Sequence, residues 1–267
     1  MSEYFFLTNV GNEIVNTINI SRFTSNRRSL SNNEVDFKVG IYIQKNDSVE
    51  WQKIDELKFN NSNNIKLSSS DYNLALGQLA VVIPCSIEFD LEDTYDVLPS
   101  PISRKIDFSP VAERAAIYFK KEKAFSSYQG EFPYQMSRIK GTFIAFDSLM
   151  HCTNKNINTK MAFINIHSKR LLKKQVFHLN INNSNSKERI VSNKYVHNSA
   201  CIVDIPIHND LEIFAYSKDS LGIPIFISYN NLGYLSVEHS HPPSELFLNN
   251  KFKGQHLLKQ NWLSKLP

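Results

Sequence analysis

The sequence predicts a mostly β protein, an antiparallel β-sandwich or barrel that carries one or two short helices. Many short segments alternate apolar and polar residues, which is the pattern of half-buried strands. Asparagine-rich turns such as 60–64 and 182–186 separate these segments, and asparagine suits turns because it tolerates left-handed backbone angles. Only 109–121 and 257–266 favour a helix. The fold class therefore rests on strand periodicity and turn chemistry.

The first half of the chain contains several segments that we predict to be extended. In 35–44, Val35, Phe37 and Val39 share one face because side chains alternate along a strand. Pro84 interrupts a later apolar segment, and proline cannot donate to a strand ladder. We therefore predict two strands there, or one strand bent at the proline. The predicted segments are 4–8, 13–20, 35–44, 49–57 and 77–92.

The middle of the chain contains the best helix candidate. Ser109 suits the N-cap and Pro110 the first helical position, and apolar residues then recur at nearly helical spacing through 121. The following segment, 126–133, is predicted to be a loop. Its aromatic and hydrogen-bonding side chains suit a sugar or a peptide, although an ordinary packed loop has the same composition. The candidate ligand-binding residues are Tyr128, Gln129 and Glu131.

The second half repeats the strand pattern. Its predicted strands are 141–149, 161–167, 175–181, 200–207, 211–216, 223–229 and 234–241. The order of segments near 4–21 is weakly echoed near 162–182, which favours two β-sandwich-like halves. We accordingly predict an N-terminal β half at 1–108, a helix-bearing connection at 109–159 and a C-terminal β half at 160–267. The alternative is one compact domain.

Charge and composition exclude several classes of function. The net charge is +4 and the basic residues are scattered, whereas a nucleic-acid groove needs a dense basic stripe. No segment approaches 18 apolar residues, and no signal peptide is recognisable, so we expect no membrane span and a cytoplasmic protein. The three cysteines form no CxxC pair, which favours reduced, buried thiols. No GxSxG, P-loop, GxGxxG or HExxH motif is present.

The segment 233–245 contains the most tightly spaced candidate ligands for a metal. His239 and His241 are two positions apart and would share one strand face, and Glu245 follows the Pro242-Pro243 corner. Two neutral imidazoles and a carboxylate can occupy one side of a divalent metal. The structural alternative is a strand end whose histidines bond to their neighbours.

This spacing of Gly233, two histidines and a glutamate resembles the first half of the first cupin motif. The resemblance implies a divalent metal held by His239, His241 and Glu245 inside a small β-barrel. The glycine that follows the glutamate in that motif is displaced here, at Gly254. Few residues follow Glu245, so we expect any further ligand to come from earlier in the chain. The candidates are His151, Cys152, His197 and His208.

Two hypotheses of function follow from these patterns. The first is a soluble β-rich protein that binds a small molecule, a carbohydrate or a protein without performing chemistry, because no complete catalytic motif is present. The second is a cupin-like divalent-metal enzyme or sugar-modifying enzyme at His239, His241 and Glu245. Exposed edge strands in such a chain favour a homodimer.

Overall fold

The fold is that of a computed structural model. The residues that it describes are 2–11, 13–20, 37–45, 48–58, 65–99, 115–128, 132–133, 141–145, 156–167, 170–183, 186, 188–205, 213–239, 261 and 263–266. All statements on structure below concern these residues.

Strands make up almost all of the regular structure. In chain order they are β1 Ser2–Thr8, β2 Val15–Ile20, β3 Phe37–Gln44, β4 Trp51–Lys58, β5 Ile65–Ser68, β6 Leu79–Ser86, β7 Thr94–Tyr95, β8 Ala115–Lys121, β9 Ala124–Tyr128, β10 Phe132–Pro133, β11 Thr142–Ala145, β12 Asn158–Ile164, β13 Val176–Asn183, β14 Arg189–Val196, β15 Ala200–Ile205, β16 Ile213–Ser217, β17 Ile223–Tyr229 and β18 Leu235–His239. The pairings between these strands are antiparallel. The predicted class, a mostly antiparallel β fold with sandwich-like sheets, is confirmed, and the described strands do not close a barrel.

The chain forms two compact units. The first contains Met1–Tyr134 and Ser168–Lys173, and the second contains Gln135–His167 and Lys174–Pro267. The boundaries that we predicted from the sequence, 1–108, 109–159 and 160–267, stay a prediction.

The first unit contains two sheets. One has six strands in the order β10-β1-β6-β3-β4-β7, and the other has four in the order β5-β2-β8-β9. Strands β1 and β2 follow each other in the chain but belong to different sheets, as sandwich connections do. Both sheets bury apolar side chains, for example Leu7 and Val82 in the first and Ile18 and Phe119 in the second.

The second unit also contains two sheets, in the orders β11-β16-β13-β14 and β15-β12-β17-β18. Its main core cluster draws Phe177 and Ile181 from the first sheet and Met161, Phe163 and Val203 from the second. Side chains of two sheets that meet in one apolar cluster form the interior of a β-sandwich. Burial of these side chains from water is the main driving force for this packing.

The helix predicted over 109–121 is wrong where the structure describes it. Residues 115–121 form strand β8, which pairs with β2 and β9. Ile117 and Phe119 are fully buried and alternate with partly exposed neighbours, so the segment fits a period of two as well as a helical period. Pairing with β2 decides between them, because tertiary contacts override a weak local preference.

Pro84 lies inside one continuous strand, β6, whereas the end of the predicted segment, 87–92, does not form a strand. Strand β6 pairs with β3 through Pro84 opposite Val39. Its described pairs with β1 extend only from Leu79 to Val82. The proline therefore lies beyond the β1 ladder, where its missing N–H costs no bond to that strand. The chain leaves the sheet in a turn at 87–88.

Five short or polar strands among those described were not predicted from the sequence, namely β5, β7, β9, β10 and β14. Strand β14 is mostly exposed, so it lacks the apolar alternation by which a strand is recognised. At the C-terminal end, Asn261, Leu263 and Ser264 are helical, within the predicted 257–266. No helix among the described residues is long and apolar enough to cross a lipid bilayer.

Candidate functional site

The predicted metal ligands lie at the limit of the described chain. His239 is the last residue of β18, and its backbone pairs with Ile225 of β17. His241 and Glu245 lie outside the described residues, as do His151, Cys152 and His208. Within the described ranges, no group of three or more His, Cys, Asp or Glu side chains is placed to hold a metal ion. The metal site at His239, His241 and Glu245 therefore stays a prediction.

The predicted ligand-binding loop at 126–133 is wrong in its secondary structure. Residues 126–128 belong to β9, and Tyr128 ends that strand opposite Ile117 of β8. Residues 132–133 form β10, which pairs with β1. Gln129 and Glu131 lie outside the described residues. A role for Tyr128, Gln129 and Glu131 in ligand binding stays a prediction.

An open groove of about 570 Å³ lies in the first unit. Two segments form it, namely the turn between β1 and β2 and the chain that follows β5. We call it the turn groove, and its lining residues are Asn9, Gly11, Glu13, Ile14, Val15, Ser69, Ser70, Asn73 and Leu74. Most of the polar groups are amides and hydroxyls, and Glu13 is the one ionisable side chain among these lining residues.

Hydrogen bonds hold the two walls of the turn groove together. The Asn9 amide donates to the Leu74 carbonyl at 2.8 Å and accepts from the Gly11 N–H at 2.8 Å. Asn16 and Ser69 are 53 positions apart, yet the Asn16 N–H donates to the Ser69 hydroxyl and the Ser69 N–H donates to the Asn16 carbonyl. Asn16 itself is fully buried. The groove is therefore a built feature of the fold, with its walls fixed before any ligand arrives.

Two residues at the rim of the turn groove have a left-handed backbone conformation. The φ angle is 58° at Glu13 and 48° at Asn73, and both side chains are exposed. Asparagine tolerates this conformation, but for glutamate it is uncommon and costs free energy. Glu122 has a similar φ of 52° in the two-residue hairpin turn between β8 and β9. Glu13 likewise lies in a turn, where the Ile14 N–H donates to the Gly11 carbonyl at 3.1 Å, so turn geometry accounts for both glutamates.

A buried polar cluster in the second unit brings two histidines into contact. The rings of His167 and His197 meet edge to face with centroids 5.0 Å apart. His197 is buried and also lies against the Phe177 ring. Its Nδ1 is 3.0 Å from the side-chain oxygen of Asn165. We call His167, His197 and Asn165 the histidine cluster.

The described thiols are poor nucleophiles. Burial raises the pKa of the Cys85 thiol to about 12 and raises the pKa of the Cys201 thiol still further. The thiolate is the reactive form of cysteine, so neither residue is activated. This agrees with their interpretation as inert buried thiols.

An ion network on β3 and β4 has a structural role. Glu56 contacts Lys38 at 3.2 Å and Lys53 at 3.4 Å, and Lys53 also donates to the Leu91 carbonyl. Burial by itself would raise the pKa of the Glu56 carboxyl, but the two lysines outweigh it and hold that pKa below its ordinary value. A carboxylate that is held ionised between two cations ties strands together and is a poor proton acceptor.

The turn groove and the histidine cluster were not predicted from the sequence. Asn9 and Ser69 both line the groove, and Asn165 and His197 meet in the cluster. The members of each pair are far apart in the sequence, so no short sequence pattern links them. His197 was a candidate ligand, but its neighbour His167 was not. The sequence does contain one feature of the cluster: Asn165-x-His167 and His197-Asn198 each place an amide side chain close to an imidazole along the chain.

The fold and these sites define a class of protein, an all-β chain with sandwich-like sheets. No family model and no curated protein matches the chain. Among solved structures, it is similar to the crystal structure of β-glucuronidase from Parabacteroides merdae, with 8% sequence identity and a TM-score of 0.20. That alignment covers 90% of this chain and 28% of the glucuronidase, so the chain spans less than a third of that protein. A likeness at this level carries no argument about activity.

Proposed function

We propose that this protein binds a small polar ligand in the turn groove without performing chemistry on it. The observation that carries the proposal is a groove with hydrogen-bonded walls, whose rim carries the exposed side chains of Glu13 and Asn73. A groove of this volume with a few placed polar groups is a usual form of small-molecule site.

The chemistry of the groove favours a ligand with hydroxyl or ammonium donors. Glu13 supplies a negative charge, and Asn73, Ser69 and Ser70 supply amide and hydroxyl groups that accept and donate hydrogen bonds. A carboxylate at the rim disfavours phosphates and nucleic acids, because like charges repel. A monosaccharide or disaccharide fits these requirements.

A panel of monosaccharides and disaccharides tests the proposal by saturation-transfer difference NMR. We expect at least one sugar to give transfer with the native protein. The variant Glu13→Gln should weaken its affinity about tenfold or more, because a hydrogen bond to a charged group contributes about 1.5–3 kcal/mol. Titration by NMR or calorimetry measures the change.

The chain offers a matched control for this experiment. Glu122→Gln also removes an exposed carboxylate from left-handed backbone in the first unit, but this residue does not line the groove. We expect it to bind like the native protein. Equal loss of affinity in both variants, or no transfer to any sugar, would contradict the proposal.

A cupin-like divalent-metal or sugar-modifying enzyme at His239, His241 and Glu245 is the second candidate. It is supported by strand β18, which extends through His239, so the His-x-His spacing starts on extended chain as the resemblance requires. The three side chains would hold the metal, and the metal would polarise a bound oxygen.

Elemental analysis of the purified protein tests the second candidate. We expect about one equivalent of zinc, iron, manganese or nickel in the native protein and a loss of most of it in His239→Ala, since removal of a ligand from a three-ligand site weakens binding strongly. Equal metal content in both samples would show that His239 holds no metal.

The remaining features of this proposal concern partners and compartment. We also propose that the protein forms a homodimer through an exposed sheet edge and is located in the cytoplasm. A protein partner is the alternative to a sugar ligand. The odd number of cysteines and the lack of a CxxC spacing in the sequence support the cytoplasm, where disulfides are rare.

A further inference from the structure

One face of the sheet β5-β2-β8-β9 is open to solvent beside the turn groove. Along β8, Ile117 and Phe119 are fully buried, whereas Tyr118 is half-buried and Lys120 is exposed. Side chains alternate along a strand, so Tyr118 and Lys120 lie on the face that points away from the core. On the neighbouring strand β9, Phe125 is 70% exposed. This face therefore presents an aromatic ring to water.

Strand register connects this face to the turn groove. Val15, Lys120 and Phe125 lie opposite one another on β2, β8 and β9, and residues that are opposite each other in a sheet share a face. Val15 also lines the groove. Neighbouring strands are about 4.8 Å apart, so the Cα atoms of Val15 and Phe125 are about 10 Å apart. We call Val15, Lys120 and Phe125 the sheet row, and it continues the surface of the groove.

The charge of the sheet row is opposite to that of the groove rim. Glu13 gives the rim a carboxylate, whereas Lys120 gives the row an ammonium group. The adjacent row on the same face contains only hydroxyl-bearing residues, namely Ser68, Thr17, Tyr118 and Ser127. An ammonium group with no carboxylate in its own row or in the adjacent row attracts an anionic group of a ligand.

We propose that a carboxylated oligosaccharide, longer than a disaccharide, binds across the turn groove and the sheet row. This inference rests on the proposed function, since the first sugar units occupy the groove. An acidic unit then lies at the Lys120 ammonium, and the next unit packs its C–H face on the Phe125 ring. Burial of apolar surface stabilises this contact. Tyr118 is a diagonal neighbour of Phe125, about 7–8 Å away, and enlarges the aromatic surface.

Calorimetric titration of the full chain with acidic oligosaccharides tests the inference. The probes are fragments of alginate, pectin and hyaluronan, from disaccharide to hexasaccharide, each compared with its uncharged methyl ester. We expect at least one acidic series to gain about tenfold in affinity beyond the disaccharide, because the longer members reach the exposed ring. Its esters should bind about threefold more weakly, because they offer no charge to Lys120.

Two variants separate the contributions of the ring and the charge. Phe125→Ala should bind the hexasaccharide no better than the disaccharide, while its affinity for the disaccharide stays native. Lys120→Gln should bind an acid and its methyl ester equally. The matched controls are Tyr234→Ala and Lys194→Gln, which remove an exposed ring and an exposed lysine from the second unit. Both controls should bind like the native protein.

Several outcomes would overturn the inference. One is an affinity that does not increase beyond the disaccharide, another is a native gain with length in Phe125→Ala, and a third is equal binding of acids and esters by the native protein. These outcomes leave the proposed function in place as long as a disaccharide binds and Glu13→Gln weakens it. Failure of the proposed function is a different result, in which no monosaccharide or disaccharide binds.

Discussion

Replacement of Asn165 by alanine should lower the free energy of unfolding by about 3 kcal/mol, because a buried group left without its partner costs about 1–3 kcal/mol and several groups lose theirs here. The side chain is 2% exposed and bonds to four groups, namely His197 Nδ1, the Asn198 N–H, the Ser220 hydroxyl and the Leu221 carbonyl. Alanine reaches none of them. Buried donors and acceptors that lose their partners cost more than the net strength of the bonds. Denaturant unfolding followed by fluorescence measures the change.

Asn193→Ala is the control for this prediction. Asn193 is exposed on β14 and donates one hydrogen bond to the Tyr195 hydroxyl at 3.2 Å. Its loss should change the free energy of unfolding by no more than about 0.5 kcal/mol, as exposed substitutions usually do. A loss below about 1 kcal/mol in Asn165→Ala would contradict a stabilising role for this buried hydrogen-bond network.

Phe177→Ala should lower the free energy of unfolding by about 3–5 kcal/mol, the range for loss of a buried aromatic ring. Phe177 is 0% exposed and belongs to the core cluster of the second unit. Its ring centroid lies 6.0 Å from that of Phe163 and 5.0 Å from that of His197. The loss combines the transfer of the ring to water with the cavity that is left between two sheets. Thermal and denaturant unfolding of the variant measure it.

The matched control is Phe125→Ala on β9. This residue is 70% exposed, so its removal should change stability by about 0.5 kcal/mol or less. A small effect of Phe177→Ala would contradict the packing of the second unit around this ring.

The alternation of apolar and polar residues predicted most of the strands, because a strand with one buried face has an apolar residue at every second position. Strand β17 occupies the predicted 223–229, where every residue is buried and apolar residues dominate. Strand β8 was predicted to be a helix, because its apolar positions fit two periods at once. Strand β14 is mostly exposed, so its sequence does not show this alternation.

The sites were less predictable than the strands. The His239-x-His241 spacing was visible because both residues are close in sequence. The turn groove depends on Asn16 and Ser69, and the histidine cluster depends on Asn165, Ser220 and His197. These contacts join segments tens of residues apart, so no local window contains them. Their residue types, asparagine and serine, are also the types that ordinary turns use.

By itself, the sequence determined the antiparallel β class, the inert character of the buried thiols and most strand positions, since alternation and burial are properties of neighbouring residues. Tertiary structure decided which strands share a sheet, that 115–121 is extended, and that two histidines meet beside Asn165. The physical reason is that side-chain alternation is set by local backbone geometry, whereas sheet partners and site geometry depend on packing between distant segments.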